Sequence, residues 1–341
     1  EWVLLLLLHH IAADGWSMGP LFRDLSTAYT ARLSGEEART EALPVQYADF
    51  TLWQQEWLGA EEDPDSALAR QVAYWRTALD GAPQELTLPL DRMRPAVPTQ
   101  RGAWEEFTWD VELHEAVVRL ARETDSTVFM VVHAAVVALL SQLTGSSDIP
   151  IGTPVAGRPD ESLDELVGFF VNQLPLRVKW DGDPTFRELV QLTRTTALAA
   201  YDHQDLPFER LVEIVNPHRS ASHHPLFQVV LNFDGTERPP LTLPHLTTHI
   251  DDGYANESAK FDLLLHVQER HDALGRPNGF TCVAEYAAEL FDPSSVQAFT
   301  HRLTHLLRAA AADAELCVSQ VVLVDGAELD RVLVDWNATN V

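Results

Sequence analysis

The stretch VLLLLLHHIAADGWS, residues 3–17, joins six consecutive apolar residues to a group of polar side chains. The apolar run, residues 3–8, is too short to span a membrane and has the length of a strand buried on both faces. His9 and His10 stand where that strand is expected to end. The stretch therefore predicts a core strand that delivers two titratable side chains to one edge of a sheet, and the fold is expected to be organised around it.

A turn and a helix are predicted to follow the two histidines. Gly15 permits a tight turn. Ser17 followed by Pro20 is typical of a helix start, and the helix is expected to run to about Leu33. The predicted order is therefore strand, polar loop and helix.

Proton transfer is the chemistry that the histidine pair suggests. Histidine has the side chain whose unperturbed pKa lies nearest neutrality. Adjacent residues at a strand end point to opposite faces, so one ring is expected to enter a cleft while the other supports it. Asp14 is expected to order the loop, through an arginine rather than through either histidine. The alternative is a helix-capping Asp14 and two histidines with structural hydrogen bonds only.

Composition limits the possible partners and compartments. The 341 residues favour two domains or subdomains. The formal charge of −27, from 51 acidic and 24 basic residues, argues against a nucleic-acid partner, which needs a basic face. Cys282 and Cys317 cannot form a disulfide framework, which favours a reducing cytoplasm.

No membrane-embedded segment is predicted. Residues 1–8 lack the basic region and the cleavage site of a signal peptide. The longest later apolar run, residues 128–140, is interrupted by His133 and is too short to cross a bilayer.

The remaining patterns predict a mixed α/β fold. Helices are expected over residues 43–58, 66–79, 111–123, 127–143, 184–200 and 294–311 and from 207, and strands over 102–110, 225–233, 260–268 and 280–286 and from 148. The 127–143 helix should be buried nearly all round. Aromatic residues at 47, 50, 53 and 57 have helical spacing, which is more typical of a core than of a cofactor site. The proline-rich segment 84–99 is the predicted subdomain boundary.

Several kinds of site are disfavoured by missing motifs. His9, His10 and Asp14 could supply metal ligands, but no HExxH or CxxC spacing accompanies them, so no metal is expected. The sequence contains no Gly-x-Ser-x-Gly elbow, no Walker loop and no Gly-x-Gly-x-x-Gly. General acid or base work by one histidine remains. Asn172, predicted in a loop, either presents its amide to a ligand or only caps or turns the chain.

Five segments, in order along the chain, resemble motifs of one protein family. They are HHIAADG at 9–15 for HHxxxDG, YWRTALDG at 74–81 for YWxxxLxG, VGFFVN at 167–172 for GxFVN, YDHQDLPFE at 201–209 for HQDxPFE, and PLFQV at 225–229. Together they resemble the condensation domains of nonribosomal peptide synthetases, in the chloramphenicol acetyltransferase-like superfamily. The first motif alone is moderately specific, whereas five in order over most of the chain are highly specific.

This resemblance implies an α/β fold with two subdomains that form a V around a tunnel. The first subdomain would be incomplete, because the family's first two motifs, which precede HHxxxDG, are missing. Residues 1–82 would then be its C-terminal part, 83–332 the second subdomain, and 333–341, with Trp336 to Thr339, a linker toward an adenylation domain. Whether the chain is active without the missing part is left open.

The resemblance also implies an acyltransferase activity. Substrates would arrive on the 4'-phosphopantetheine arms of upstream and downstream peptidyl carrier domains, with no cofactor bound by the domain itself. A donor aminoacyl or peptidyl thioester would be attacked by the amine of an acceptor aminoacyl thioester. His10 would act as base or orient the amine, and His9 would support it.

Further residues receive roles from the same resemblance. Gly15 is a candidate oxyanion donor, and Asp14 is structural through an arginine, for which Arg158 is the visible candidate; a partner in the absent upstream segment is the alternative. Trp16, Ser17 and Asn172 are candidate substrate-binding residues.

The subtype and the competing functions follow from the same motifs. Residues 14–21 and 43–50 look like the class that joins a D-configured donor to an L-acceptor, which implies an upstream epimerisation domain. The rival functions are an epimerisation domain of the same fold and a non-catalytic recruitment module.

Overall fold

The computed structural model describes residues 2–216, 220, 222–235, 241–249 and 257–323. Its helices are α1 Met18–Leu33, α2 Tyr47–Leu58, α3 Ala67–Ala78, α4 Val111–Glu123, α5 Val128–Thr144, α6 Phe186–Tyr201, α7 Phe208–Val215 and α8 Pro293–Ala312. Its strands are β1 Gly102–Trp109, β2 Asp148–Val155, β3 Asn172–Lys179, β4 Val229–Asp234, β5 Leu263–His271 and β6 Pro277–Ala287. The mixed α/β class that the sequence predicts is confirmed.

The six strands form one sheet in the order β1-β6-β5-β4-β2-β3. Strand β4 runs parallel to both of its neighbours, β5 and β2, and the other pairs are antiparallel. The β2–β4 pairing is short, with one backbone register pair at Gly152 and Val230, and the Thr153 hydroxyl donates to Leu231 O at 2.9 Å beside it. The sheet is therefore joined least extensively between β2 and β4.

Helix α5 lies at the centre of the main core, as its composition predicts. Its middle, Met130 to Leu140, is buried at every position, and it packs with α4, α8 and the sheet. The Thr127 hydroxyl caps its start by accepting from Met130 N at 3.2 Å. Gly145 ends the helix at φ 71°, a conformation that glycine adopts without a Cβ clash.

Helix α3 packs into the same part of the molecule as α6 and β3. Val72, Trp75 and Leu79 are buried in one cluster with Leu174 and Ala197. This packing crosses residue 82, where the sequence predicts the end of the first subdomain. Apolar burial thus continues across the predicted boundary, because one face of α3 shares a buried cluster with residues of β3 and α6 beyond it.

The predicted strand over residues 3–8 is wrong for this chain. Residues 2–9 have no regular secondary structure, and residues 3–8 are exposed, with 92% of Val3 and 89% of Leu7 accessible. A strand forms only where a neighbour satisfies its backbone groups, and none of the described segments pairs with this one. The six side chains are apolar as the sequence shows, but they are not buried against any described part of the chain.

None of the described helices is by itself long and apolar enough to cross a membrane. Helices α4 and α5 pass that test only as a pair, and they bend by 101° at the break between them.

Candidate active site

An open cavity of about 980 Å³ is lined by five of the residues that the sequence singles out. One wall comes from residues 9–16, a second from α2, a third from residues 154–173, and the remainder from residues 204–209, 224–232 and 260–264. The two histidines, Gly15, Trp16 and Asn172 all line it. Segments that are far apart in sequence therefore meet around one space.

The two histidines begin a single 3₁₀ turn, His10–Ala12, instead of ending a strand. His9 Nδ1 accepts a hydrogen bond from Ile11 N at 3.1 Å, which holds that ring against its own backbone. The His10 ring is exposed, and its recorded ring contact is with Phe169, at a centroid separation of 5.1 Å and an interplanar angle of 75°. The rings thus differ in their surroundings, and His10 is the one whose nitrogens make no hydrogen bond to a described residue.

Asp14 fastens the histidine loop to the segment at residues 168–171. Its Oδ2 accepts from the backbone N–H groups of Phe170 at 3.0 Å and Val171 at 3.2 Å. Its own N–H donates to Gly168 O at 3.0 Å. A carboxylate buried to 3% exposure is thus satisfied by backbone donors from a distant segment.

Ser17 belongs to the same anchor and does not face a substrate. Its hydroxyl lies 2.7 Å from Asp14 Oδ1 and 2.9 Å from Gly168 O, and it accepts from Gly168 N at 3.1 Å. The residue is fully buried, which favours a structural role, and the predicted contact of Ser17 with substrate stays a prediction. Ser17 precedes α1 as predicted, but its hydroxyl does not cap that helix.

Arg158 lies beside this anchor. Its Nη2 is 3.3 Å from Asp14 Oδ1 and donates to Ser17 Oγ at 3.1 Å, while Nη1 donates to Leu163 O. The guanidinium carbon stands 4.0 Å from the centroid of the Phe170 ring, which adds a cation–π contact. Arg158 therefore occupies the place that the sequence suggests for the arginine partner of Asp14.

Asn172 is the first residue of β3, not a loop residue, and its amide is used by the chain itself. Nδ2 donates to Gln204 O and Leu206 O, both at 2.8 Å, and Oδ1 accepts from Gln173 N and Phe208 N. These four bonds use both donors and both acceptor sites of the amide. The structure thus favours the alternative in which Asn172 shapes the chain, although the residue lines the cavity.

Gly15 and Trp16 border the cavity without such ties. Gly15 lacks the positive φ that a tight glycine turn would need, and a Cβ on it would meet no atom within 4 Å. No described residue accepts a hydrogen bond from its N–H. Trp16 is 43% exposed. Both residues thus lie on the cavity wall.

Sequence reasoning missed the contribution of α2 and of Phe169. Phe50 is buried as the helical spacing predicts, but Trp53 and Trp57 stack on each other at 5.9 Å, are nearly half exposed, and line the cavity. Tyr47 Oη donates to Phe169 O at 2.7 Å. The aromatic spacing is the available signal, but it predicts a core because spacing does not reveal which face of a helix meets solvent.

Two titratable groups have shifted pKa values, and both lie on the cavity wall that residues 204–209 and 224–232 form. Burial lowers the pKa of His224 to about 4, so its ring is neutral near pH 7. Burial also raises the pKa of Asp205, against a hydrogen bond from Gln71 Nε2 at 3.0 Å that acts to lower it. This wall therefore offers the cavity an uncharged histidine and one partly buried carboxyl group.

Among the described residues, one cluster of side chains could supply metal ligands, and it does not include His9, His10 or Asp14. His114, Glu269 and His271 lie close together, with His114 Nε2 at 2.8 Å from Glu269 Oε1. His114 Nδ1, however, accepts from Gly279 N at 3.1 Å. A neutral ring that accepts at Nδ1 carries its proton on Nε2, which then donates to Glu269 and is not a metal ligand.

The chain is similar to known proteins over nearly its whole length. The Condensation domain family matches residues 1–333. A probable non-canonical nonribosomal peptide synthetase CymA of Salinispora arenicola is 48% identical over 98% of this chain, and a dimodular nonribosomal peptide synthase of Bacillus subtilis is 46% identical over 100% of it. The chain spans only 4% and 14% of these two relatives.

A solved structure agrees with these sequence similarities. The complex of the X-domain and OxyB from teicoplanin biosynthesis contains a chain that superposes with a TM-score of 0.84 and 32% identity, covering 93% of this chain and 69% of that one.

Proposed function

The chain belongs to the condensation-domain family, and on that basis we propose that it forms peptide bonds in nonribosomal peptide synthesis. The amine of a carrier-bound aminoacyl acceptor attacks the carbonyl carbon of a carrier-bound aminoacyl or peptidyl thioester. As the C–N bond forms and the C–S bond breaks, the amine loses a proton and the donor's thiol is released. The observation that carries the proposal is the cavity of about 980 Å³ with His10 exposed on its wall.

His10 is proposed to serve the attacking amine, either as general base, an effect typically worth about 10²–10⁴-fold, or by orienting it. Its exposed ring without a hydrogen-bond partner among the described residues supports this role. His9 is proposed to support the turn, since its Nδ1 is already bonded. The N–H of Gly15 is proposed to donate to the oxyanion, because Gly15 lines the cavity and no described residue accepts a hydrogen bond from its N–H. Trp16 is proposed to contact substrate.

The partners are proposed from the same chemistry. Both substrates arrive on 4'-phosphopantetheine arms of peptidyl carrier domains, and the domain itself needs no cofactor. Holding two tethered reactants in one cavity supplies a large entropic share of the rate. A downstream adenylation domain and an upstream epimerisation domain are proposed in the same polypeptide; the suggested linker at 333–341 lies outside the described residues. The free thiols of Cys282 and Cys317 support a cytoplasmic location.

The exposed run at residues 3–8 supports an incomplete first subdomain. Consecutive apolar side chains that are 44–92% exposed are unusual in a folded domain, and large exposed apolar patches mark surfaces that are covered by something else. We propose that other parts of the natural protein cover this segment.

We expect His10→Ala to lower peptide-bond formation by about 10²-fold or more. The natural full-length synthetase is loaded with donor and acceptor thioesters, and the condensed thioester is quantified by mass spectrometry over single turnover. His301→Ala, which removes an exposed histidine on α8, is the matched control and should keep the wild-type rate. A His10→Ala enzyme with wild-type turnover would refute the proposed role.

The same assay tests the proposed D-donor subtype. Donor thioesters that end in a D-residue are expected to condense at least about tenfold faster than their L-epimers. Preference for the L-ended donor would exclude the subtype, and epimerisation without condensation would favour the isomerase.

A recruitment module is the second candidate, favoured by the similarity to the X-domain that is seen in complex with OxyB. It predicts binding of a partner protein that His10→Ala leaves unchanged and no condensed product from any donor.

A further inference from the structure

The orientation of His10 depends on a ring contact and not on a hydrogen bond. None of the described residues hydrogen-bonds either nitrogen of His10, whereas the ring of His9 is tied to Ile11 N. The ring of Phe169 lies edge-on to His10 with centroids 5.1 Å apart at 75°. This arrangement is one that aromatic pairs prefer. Phe169 is therefore the described side chain that restricts where the imidazole points.

Phe169 is itself held from both sides. Its carbonyl oxygen accepts from Tyr47 Oη at 2.7 Å. The next two residues donate their N–H groups to Asp14 Oδ2, and the preceding residue, Gly168, accepts from Asp14 N. The backbone that carries Phe169 is thus locked to the loop that carries His10.

Tyr47 fits this place closely. Its ring stands 5.0 Å from that of Phe170 at 78°, and it packs over Gly168, where a Cβ would lie 2.4 Å from Tyr47 Cδ2. Burial and the nearby Asp14 carboxylate raise the pKa of Tyr47, so the phenol keeps its proton for the bond to Phe169 O near neutral pH. Helix α2 therefore contacts the segment at residues 168–171 through both the ring and the hydroxyl group of Tyr47.

We infer that Phe169 is a positioning residue for His10 and that Tyr47 fixes Phe169, an inference that rests on the proposed role of His10. The edge-to-face contact favours the imidazole orientation that faces the cavity. Losing it spreads the ring over other rotamers and reduces the fraction of molecules that are ready to accept or orient the amine.

Phe169 also lines the cavity and is 37% exposed, so a direct substrate contact is the competing explanation. The two explanations predict different effects of replacing Phe169. A substrate contact alters KM and leaves the free protein unchanged, whereas a positioning residue alters kcat and the His10 environment without substrate.

The experiment compares Phe169→Leu, Phe169→Tyr and Tyr47→Phe. In the full-length synthetase, Phe169→Leu should lower kcat by about 2- to 13-fold with KM unchanged. Phe169→Tyr, which keeps an aromatic ring, should retain the wild-type kcat. Tyr47→Phe should lower kcat by about 2- to 5-fold. Phe299→Leu, a half-buried ring on α8, is the matched control and should be neutral.

Histidine ring protons, observed by NMR in this chain without substrate, supply the second readout. The signals of His10, identified by their loss in His10→Ala, should move in Phe169→Leu because the ring-current field disappears, and should return in Phe169→Tyr. Unchanged His10 signals, or a change confined to KM, would overturn the inference. If His10→Ala is inactive and Phe169→Leu is fully active, the positioning role of Phe169 is overturned while the role of His10 stands. If His10→Ala is active, the proposed role of His10 is overturned, and this inference fails with it.

Discussion

Asp14→Ala is expected to destabilise the protein by about 3–5 kcal/mol, because it leaves the guanidinium of Arg158 buried without its carboxylate. The side chain of Arg158 is 4% exposed, and that of Asp14 is inaccessible. An exposed ion pair would contribute at most about 1 kcal/mol, so burial makes the difference. The N–H groups of Phe170 and Val171 lose their acceptor at the same time.

Urea unfolding measures this cost directly, with Asp24→Ala as the matched control. Asp24 is an exposed aspartate on α1, 3.9 Å from Arg23, and its removal should change the unfolding free energy by less than about 0.5 kcal/mol. The double variant Asp14→Ala/Arg158→Leu should be less destabilised than the sum of its single variants, because removing both partners leaves no unpaired charge. A cost below about 1 kcal/mol for Asp14→Ala would show that the anchor does not hold the loop.

Asp14→Asn refines the interpretation. An amide keeps the shape of the carboxylate, but only its oxygen accepts hydrogen bonds. In either orientation its NH₂ group would therefore face donors: the N–H groups of Phe170 and Val171, or those of Ser17 and Arg158. We therefore expect Asn at this position to lose most of the stabilisation, and activity to fall with it because His10 lies on the same loop.

The helices could be predicted from local pattern, since their signals lie within the segments themselves. The apolar composition of α5, the amphipathic pattern of α4 and the cap residues Ser66 and Thr127 are all readable within one or two turns. The predicted ends agree with the structure to within one or two residues for these elements.

The strand over residues 3–8 could not be predicted reliably, because a strand depends on neighbours that its own sequence does not contain. For the site, the sequence predicts which residues are involved but not which of them face the cavity. His10, Gly15 and Trp16 border the cavity, but Ser17 and Asn172 turned out to be bonded to backbone groups of distant segments. Phe169 is 122 residues from its partner Tyr47, and no local pattern reports a contact at that separation.

His133 is expected to make stability fall steeply as the pH decreases from neutrality. It lies in α5, fully buried, with its ring 5.6 Å from that of Phe129, and neither ring nitrogen has a partner among the described residues. Burial lowers the pKa of His133 to about 3 from the ordinary histidine value of 6.5. Between pH 6.5 and about pH 3, His133 is protonated in the unfolded chain but not in the folded protein. The free energy of unfolding therefore decreases as the pH falls.

The unfolding free energies of wild type and His133→Leu, measured at pH 7 and pH 5, test this. From the two pKa values, wild type should lose about 2 kcal/mol relative to the variant between these pH values, and the full loss near pH 3 is about 4–5 kcal/mol. The variant should also be more stable at pH 7 by about 1–3 kcal/mol, because the apolar side chain removes an unpaired polar group from the core. His301→Leu, at an exposed position on α8, should change the pH dependence little. A wild-type–variant difference that is the same at both pH values would contradict the prediction, because His133 would then bind a proton as readily in the folded core as in the unfolded chain.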